Sequence, residues 1–579
     1  MIRVTKKIFS ILTEIQKTRA VLLGFMMLLG GIVESISVSL ILPLIQAVMN
    51  EESWNKAWYA KVMCNLFHIE TQKQYVIVLL VVLISIFIIK NIYLLIEYYI
   101  QYTYIARCRY HMQSSLMSSY FRKPYTFFLN SSSGEIIRIL CEDTQRVFEG
   151  LFVSVLTFYT ELIVAAMLAV TIFVMSPRIA VGTTIILLIE MIVIAGIIKP
   201  ILKKTGITFR QEYAFANKWM LQGIQGIKSI KVAGREHFFE EKYEKHAKNV
   251  VDEYRKYQTL NNVPRLVIEA FTVAAVLFML LIMILTGTNL VDLVPELSAF
   301  VVAAVRLLPS SNRISTSINV IPYSEGALDN IIKVVHEEKN ERTEDEHKGE
   351  QVADISFTQE AGLQSVTYSY PNTDKVILDR ASIAINPGQS VGIVGMSGSG
   401  KTTMVDILLG LLKPESGKVY SDGVNIEENM EGWLSQLAYI PQTIFLMDDT
   451  IRENVAFGHH TDEIDDGQVW QALKEAQLDE FVHSLPDGLD TMVGEAGVRL
   501  SGGQRQRIGI ARALYTNPNL LIFDEATSAL DNETESAIME SINALHGRKS
   551  MIIIAHRLST IEECDVVYRV QDGKIVREK

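Results

Sequence analysis

The chain has 579 residues, 49% of them hydrophobic, and a formal net charge of −11. That balance excludes a general nucleic-acid binder, which would carry a basic excess, and the length excludes a single small domain. Cys64, Cys108, Cys141 and Cys564 are too scattered for a zinc site or a disulfide framework.

The chain begins with MIRVTKKIFSILTEIQKTRA, which is basic and lacks the apolar core and small-residue cleavage site of a signal peptide. It reads as a cytoplasmic, amphipathic lead-in. Apolar runs follow at 20–48, 75–100, 149–175, 178–198, 266–287 and 293–321, each long enough for a bilayer crossing of about 20 residues. Six spans would return the chain to its starting side. Two connections are long, polar and helical in period. They carry Arg107, Arg109, Arg122, Lys123, Arg138 and Arg146, then Lys203, Lys204, Arg210 and Lys218. The opposite connections at 176–178 and 287–296 are short and poor in Lys and Arg. The positive-inside rule therefore places both termini and the two long segments in the cytoplasm. In the external stretch 50–74, Trp54, Trp58, Val62 and Leu66 recur every four residues. That is one helical face, suited either to a membrane interface or to packing on the protein itself.

Arg306 interrupts the last apolar run, where a guanidinium costs about 2.5–3.5 kcal/mol even on insertion scales. Counted inward from 293, it lies roughly 20 Å into a ~30 Å core. Lys90 falls at similar depth, and Arg265 sits at the cytoplasmic mouth of the fifth run. Glu34, Glu97 and Glu269 share this territory. Two readings stand. The cations pair with these glutamates or snorkel, or they face a cavity and receive an anionic head group, such as the phosphate that Arg binds bidentately.

The stretch 336–350 is almost wholly charged or polar and marks a linker. The expected division is a transmembrane domain at 1–330, a linker at 331–360 and a soluble α/β domain at 361–579, in which apolar strand-like runs alternate with amphipathic helices. In GIVGMSGSGKTT, Gly395, Gly400, Lys401 and Thr402 fit G-x-x-x-x-G-K-[ST] between a strand-like and a helical run. The loop, with Ser397, Gly398, Ser399 and the following Thr403, would surround phosphate oxygens with backbone N–H groups at a helix N-terminus. Lys401 would reach the β- and γ-phosphates of ATP, and the Thr402 hydroxyl would ligate Mg²⁺. NLLIFDEA ends a buried strand on Asp524 and Glu525: the first to hold the Mg²⁺ shell, the second to orient or deprotonate a water.

With LSGGQRQRIGIARAL at 500–514, these motifs resemble the nucleotide-binding domain of ATP-binding cassette (ABC) proteins, and the resemblance spans about 361–579. It implies that Ser501, Gly502, Gly503 and Gln504 belong to the family's signature sequence, with Ser501 and Gly503 meeting the γ-phosphate held by the other domain of a dimer. It also implies adenine stacking by Tyr370, sensing of Mg²⁺ and water by Gln442, a D-loop at Ser528–Asp531 and a switch role for His556. Spans followed by one such domain resemble a half-size exporter, a homodimer of the bacterial cytoplasmic membrane with its nucleotide domain in the cytoplasm. Residues 130–147 and 220–236 resemble its coupling regions, and 494–504, with Glu495, its X-loop. A soluble cassette protein is excluded by the spans. The segments 30–49 and 305–319 resemble bacterial lipid-linked oligosaccharide flippases, which implies a polyprenyl-pyrophosphate glycan as cargo and Arg306, Arg265 and Lys90 as its contacts. The alternative is an exporter of drugs, other lipids or peptides.

Overall fold

The structure is a computed structural model. It describes residues 1–40, 44, 47–48, 58–175, 196, 199–285, 290–346, 355–371, 373, 375–494, 497–524, 539–540, 542–555 and 561–579, and for several helical stretches, 290–308 among them, the backbone alone. The chain divides into two compact units, Met1–Lys123 with Asn130–His347, and Pro124–Leu129 with Lys348–Lys579.

The first unit is helical. It comprises α1 (Ile2–Ser10), α2 (Glu14–Ser39), α3 (Trp58–Phe67), α4 (Gln72–Arg122), α5 (Tyr125–Asn130, largely in the second unit), α6 (Ser133–Arg138), α7 (Val153–Met175), α8 (Lys199–Gln225), α9 (Ile227–Ala233), α10 (Glu236–Leu285) and α11 (Leu290–Glu346). The 51-residue α4 is about 75 Å long, so one helix is long enough to cross a bilayer and continue well beyond it. It starts at a capping box, in which the Thr71 side chain accepts from Gln74 N–H and the Gln74 side chain reaches back to Thr71 N–H. It stops at Lys123 because Pro124 disfavours a helical residue before it. Glycines set the helix spacing. A Cβ on Gly30 would lie 2.2 Å from a Glu97 carboxylate oxygen, and one on Gly31 would lie 2.3 Å from a Val164 methyl. Only side chains this small let α2 approach both α4 and α7.

Among the described residues, three helical stretches are long and apolar enough to cross a membrane: Glu14–Glu34, Gln72–Arg122 and Ser133–Met167. The third continues upstream of the expected start at 149, through π-helical turns at Ile139–Asp143 and Arg146–Phe152. The polar segment and the apolar run thus form one helical rod, because no proline separates them. The fifth expected span, as far as 285, falls within α10 and the sixth within α11. The fourth, at 178–198, lies almost entirely outside the described residues, as do Trp54 and the connection at 176–178.

The second unit holds two sheets. One is antiparallel, in the order β2 (Val376–Ile385), β1 (Ala361–Ser369), β4 (Ser416–Ser421), β5 (Val424–Asn425). The other has the order β10 (Lys574–Arg577), β9 (Val566–Gln571), β3 (Ser390–Val394), β8 (Ser550–Ile554), β7 (Leu520–Asp524), β6 (Leu437–Ile440), parallel except for the β9–β10 hairpin. Strands β3, β7 and β8 are buried throughout, as expected of parallel strands covered on both faces. Asp422, at the β4–β5 turn, accepts hydrogen bonds from the Ser356 and Thr358 hydroxyls and from the N–H groups of Thr358, Gln359 and Glu360. Burial pushes this carboxyl up, but the Thr358 side chain and the three N–H groups outweigh burial and hold it well below the usual range.

Candidate functional site: a phosphate loop and a signature helix

The phosphate loop joins β3 to α12 (Lys401–Leu408) at the carboxyl end of the parallel strands, where ligands of open α/β sheets gather. Gly398 and Gly400 adopt φ of +76° and +105°, a backbone closed to side-chain-bearing residues without strain. The Lys401 ammonium donates to the carbonyls of Gly395 and Met396 at 3.0 and 3.1 Å, holding the loop wrapped about its own charge. Among the described residues the buried Ser399 hydroxyl has no hydrogen-bond partner, and Thr402 is exposed at the start of α12. An orphaned hydroxyl, a caged ammonium and a helix N-terminus in one loop fit a phosphate chain. A cavity of about 380 Å³ opens beside the loop, lined by Val376, Gly395, Ser397, Gly398 and Ser399 among others.

Asp524 ends β7 and is 4% exposed. It accepts a hydrogen bond from the Tyr439 hydroxyl at 3.1 Å, and burial followed by the charge of Asp524 pushes the Tyr439 phenol up. Asp406, one turn beyond Thr402 on α12, is pushed up to about 6 by burial and then by Asp524. Two carboxyls thus stand close together at the strand end beside the phosphate helix, an arrangement that suits a divalent ion. Tyr370 brings its hydroxyl within 3.0 Å of the Thr403 hydroxyl, and its ring meets Tyr368 edge-on at 5.3 Å. The tyrosine is therefore fixed to the phosphate helix. Tyr125 of α5 joins this neighbourhood: burial, then Asp406 and Tyr370, push its phenol up. Gln442 is exposed just beyond β6.

Ser501 caps α17, numbered after four short helices at Met430–Ser435, Ile451–Val455, Asp466–Glu475 and Asp479–Ser484 (α13 to α16), and spanning Gly502–Tyr515. Its side chain accepts from Gln504 N–H at 3.2 Å, and the Gln504 amide oxygen accepts from Ser501 N–H at 2.8 Å. Ser501 and Gly502 are exposed while Gly503 is buried, so a helix N-terminus faces outward. Among the described residues, none of 501–504 lines the cavity at the phosphate loop. Glu525, Ser528–Asp531, His556 and Glu495 lie outside the described residues.

In the helical unit, Lys90 is 8% exposed with its ammonium 4.7 Å over the Phe87 ring, and among the described residues it makes no ion pair. Arg265 is exposed. The backbone of Arg306 lies in α11, and its side chain lies outside the described residues. Sequence reasoning missed Arg313, seven residues and two turns further along α11, which bonds buried Glu161 of α7 at 2.6 Å. Two arginines a heptad apart in one apolar helix were the available signal. Asp406 was missed as well, although its spacing of four residues from Thr402 puts both on one helix face.

Comparison with known proteins fits this picture. The profile of the family described as ABC transporter matches residues 378–528, and that of the ABC transporter transmembrane region matches 20–294. An ATP-dependent lipid A-core flippase of Francisella tularensis subsp. tularensis is 31% identical over 464 residues, covering 78% of this chain and 74% of the relative. The heterocyst differentiation ATP-binding protein HepA of Nostoc sp. is 28% identical, covering 78% and 73%. The solved structure of a bacterial Atm1-family ABC exporter with ATP bound superposes with a TM-score of 0.77 at 21% identity, covering 96% of this chain and 94% of that one, a likeness of fold. The phosphate loop, the strand-end aspartate and the capped signature helix thus sit in the same polypeptide as a transmembrane region, and the chain belongs to the ABC transporter family as a half-size member that couples ATP hydrolysis to transport.

Proposed function

We propose that the chain works as a homodimeric flippase, moving a lipid-linked oligosaccharide from the cytoplasmic to the outer leaflet of a bacterial cytoplasmic membrane. The observation that carries the dimer is the outward-facing, capped N-terminus of α17, absent from the lining of its own domain's phosphate cavity. A second copy would bring Ser501 and Gly503 to the γ-phosphate from the opposite side. Lys401, Ser399 and the loop glycines bind the phosphates, and Tyr370 stacks on adenine. Thr402, Gln442 and Asp524 would hold Mg²⁺, which would neutralise charge on the phosphates. Glu525 orients or deprotonates the attacking water, and His556 contacts the γ-phosphate. Tighter binding of ATP to the closed dimer than to the open one supplies the drive for alternating access.

The cargo reading rests on intramembrane cations. Arg306 and Arg313 lie two turns apart in α11, and Lys90 is buried without a carboxylate partner among the described residues. Relatives named for lipid A-core flipping favour a lipid over a drug or peptide. The test is reconstitution in liposomes with a fluorescent polyprenyl-pyrophosphate sugar, following ATP-dependent loss of access from the leaflet on the nucleotide-domain side. Arg306→Leu is expected to slow flipping at least about tenfold, the loss of one charge-assisted contact, while ATP hydrolysis persists. Unchanged flipping by a well-folded variant removes Arg306 from the cargo path.

A further inference from the structure

A cavity of about 770 Å³ lies between α2 and α4, inside the size range of small-ligand pockets. On α2 its wall is Arg19, Leu22, Leu23 and Met26, spaced i, i+3, i+4 and i+7; on α4 it includes Ile100, Tyr104, Arg107 and His111. The Tyr93 hydroxyl donates to Met26 O at 2.7 Å, and the Tyr104 hydroxyl donates to Gln16 O at 2.8 Å. These two bonds fix the register of the helices. Met26 therefore marks the deep end, Ile100 stands about level with Arg19, and Arg107 and His111 lie about 10–17 Å beyond Ile100 along α4, toward the cytoplasm.

The groove is thus graded, apolar within the bilayer and cationic at its cytoplasmic edge. Exposed Tyr99 and Tyr102 mark the interface at this level. Among the described residues, no carboxylate lines the groove. Other basic groups of the helical unit are paired: Arg109 with Glu149, Lys123 with Glu337, and Arg146 with Glu142. Arg19 and Arg107 have no carboxylate partner among the described residues.

We propose that this groove docks one anionic glycerophospholipid of the cytoplasmic leaflet, its phosphate against Arg19 and Arg107 and one acyl chain along Leu22, Leu23, Met26 and Ile100. Guanidinium groups recognise phosphate by paired N–H donors, and each basic group near the surface favours an anionic lipid. The occupant is a resident lipid and not the cargo, because the cations stand at the level where leaflet phosphates already lie. The site does not depend on the cargo reading.

The test uses the full-length protein in detergent with equal amounts of phosphatidylglycerol and phosphatidylcholine, counting retained lipids by native mass spectrometry. The wild type should retain phosphatidylglycerol over phosphatidylcholine by about fivefold or more, given two nearby arginines. Arg19→Gln with Arg107→Gln should bring the two lipids level, and Arg19→Lys with Arg107→Lys should keep most of the preference. Arg3→Gln with Lys6→Gln removes the same charge from exposed positions on α1 and should leave the preference intact. Persistence of the preference in the glutamine pair, or an equal loss in the α1 pair, overturns the site. Glycerophosphoglycerol, the head group without chains, should not displace the lipid at millimolar concentration. Displacement would show a site for a soluble anion and overturn the lipid assignment.

Discussion

Asp406 illustrates what one carboxyl can do beside a phosphate loop. Burial, and then the charge of Asp524, raise it from an ordinary value near 3.8 to about 6. The folded protein therefore binds this proton more tightly than the unfolded chain. Its ionisation removes stability as pH rises from about 4 to 6, and the loss is flat above that range. A shift of this size corresponds to about 3 kcal/mol, and because Asp406 is only half-buried, solvent screening reduces the expected effect to about 1 kcal/mol. Asp406→Asn should remove that slope, seen as a stability difference from the wild type that grows between pH 4 and 7 in denaturant titrations. Lys401, Thr402 and Asp524 were legible in the sequence because their chemistry sits in contiguous motifs. Asp406 and Tyr439 were not, because the contacts that give them meaning cross the sheet, as in the bond from Tyr439 to a residue 85 positions away.

Helix α17 is held by a cap whose residues are also proposed to meet the γ-phosphate. Ser501→Asp separates the two roles, because aspartate caps a helix as well as serine does. The variant should melt within about 0.5 kcal/mol of the wild type, since the cap survives, while its added charge repels the γ-phosphate and ATP hydrolysis falls steeply. A variant that loses stability in step with activity would assign Ser501 to the cap alone. In the helical unit, Arg313 and Glu161 tie α11 to α7. Glu161→Leu alone should cost about 1 kcal/mol, since the Arg313 side chain is partly exposed, and adding Arg313→Met should restore much of it, measured as thermal inactivation in detergent. Element types were readable from period and run length. The continuous rod from Ser133 to Met175 was not, because polarity changes along it while its backbone does not.

The proposed division of labour between two copies is tested at the scale of the whole assembly. Lys401→Ala disables the phosphate loop of its own chain, and Ser501→Asp disables the partner-facing edge. Each homodimer should be inactive. A mixed dimer collects both faults in one site and leaves the other intact, so co-expression with distinct tags and tandem purification should recover ATP hydrolysis. Continued silence of the purified mixed dimer would count against a shared site. The split into a membrane half and a nucleotide half was visible in hydropathy and in the charged linker. The assignment of Pro124–Leu129 to the nucleotide unit was not, because a short stretch such as YTFFLN carries no periodic signal of its own.

Asp422 has a mechanical consequence. Its carboxylate gathers three successive backbone N–H groups from the irregular segment leading in from residue 355 and stays ionised under acidic conditions. Tension arriving along the chain therefore meets an anchor at the rim of the antiparallel sheet before it can peel β1 away. Force on the tether should turn the nucleotide domain as a solid body, with little slack lost to unravelling.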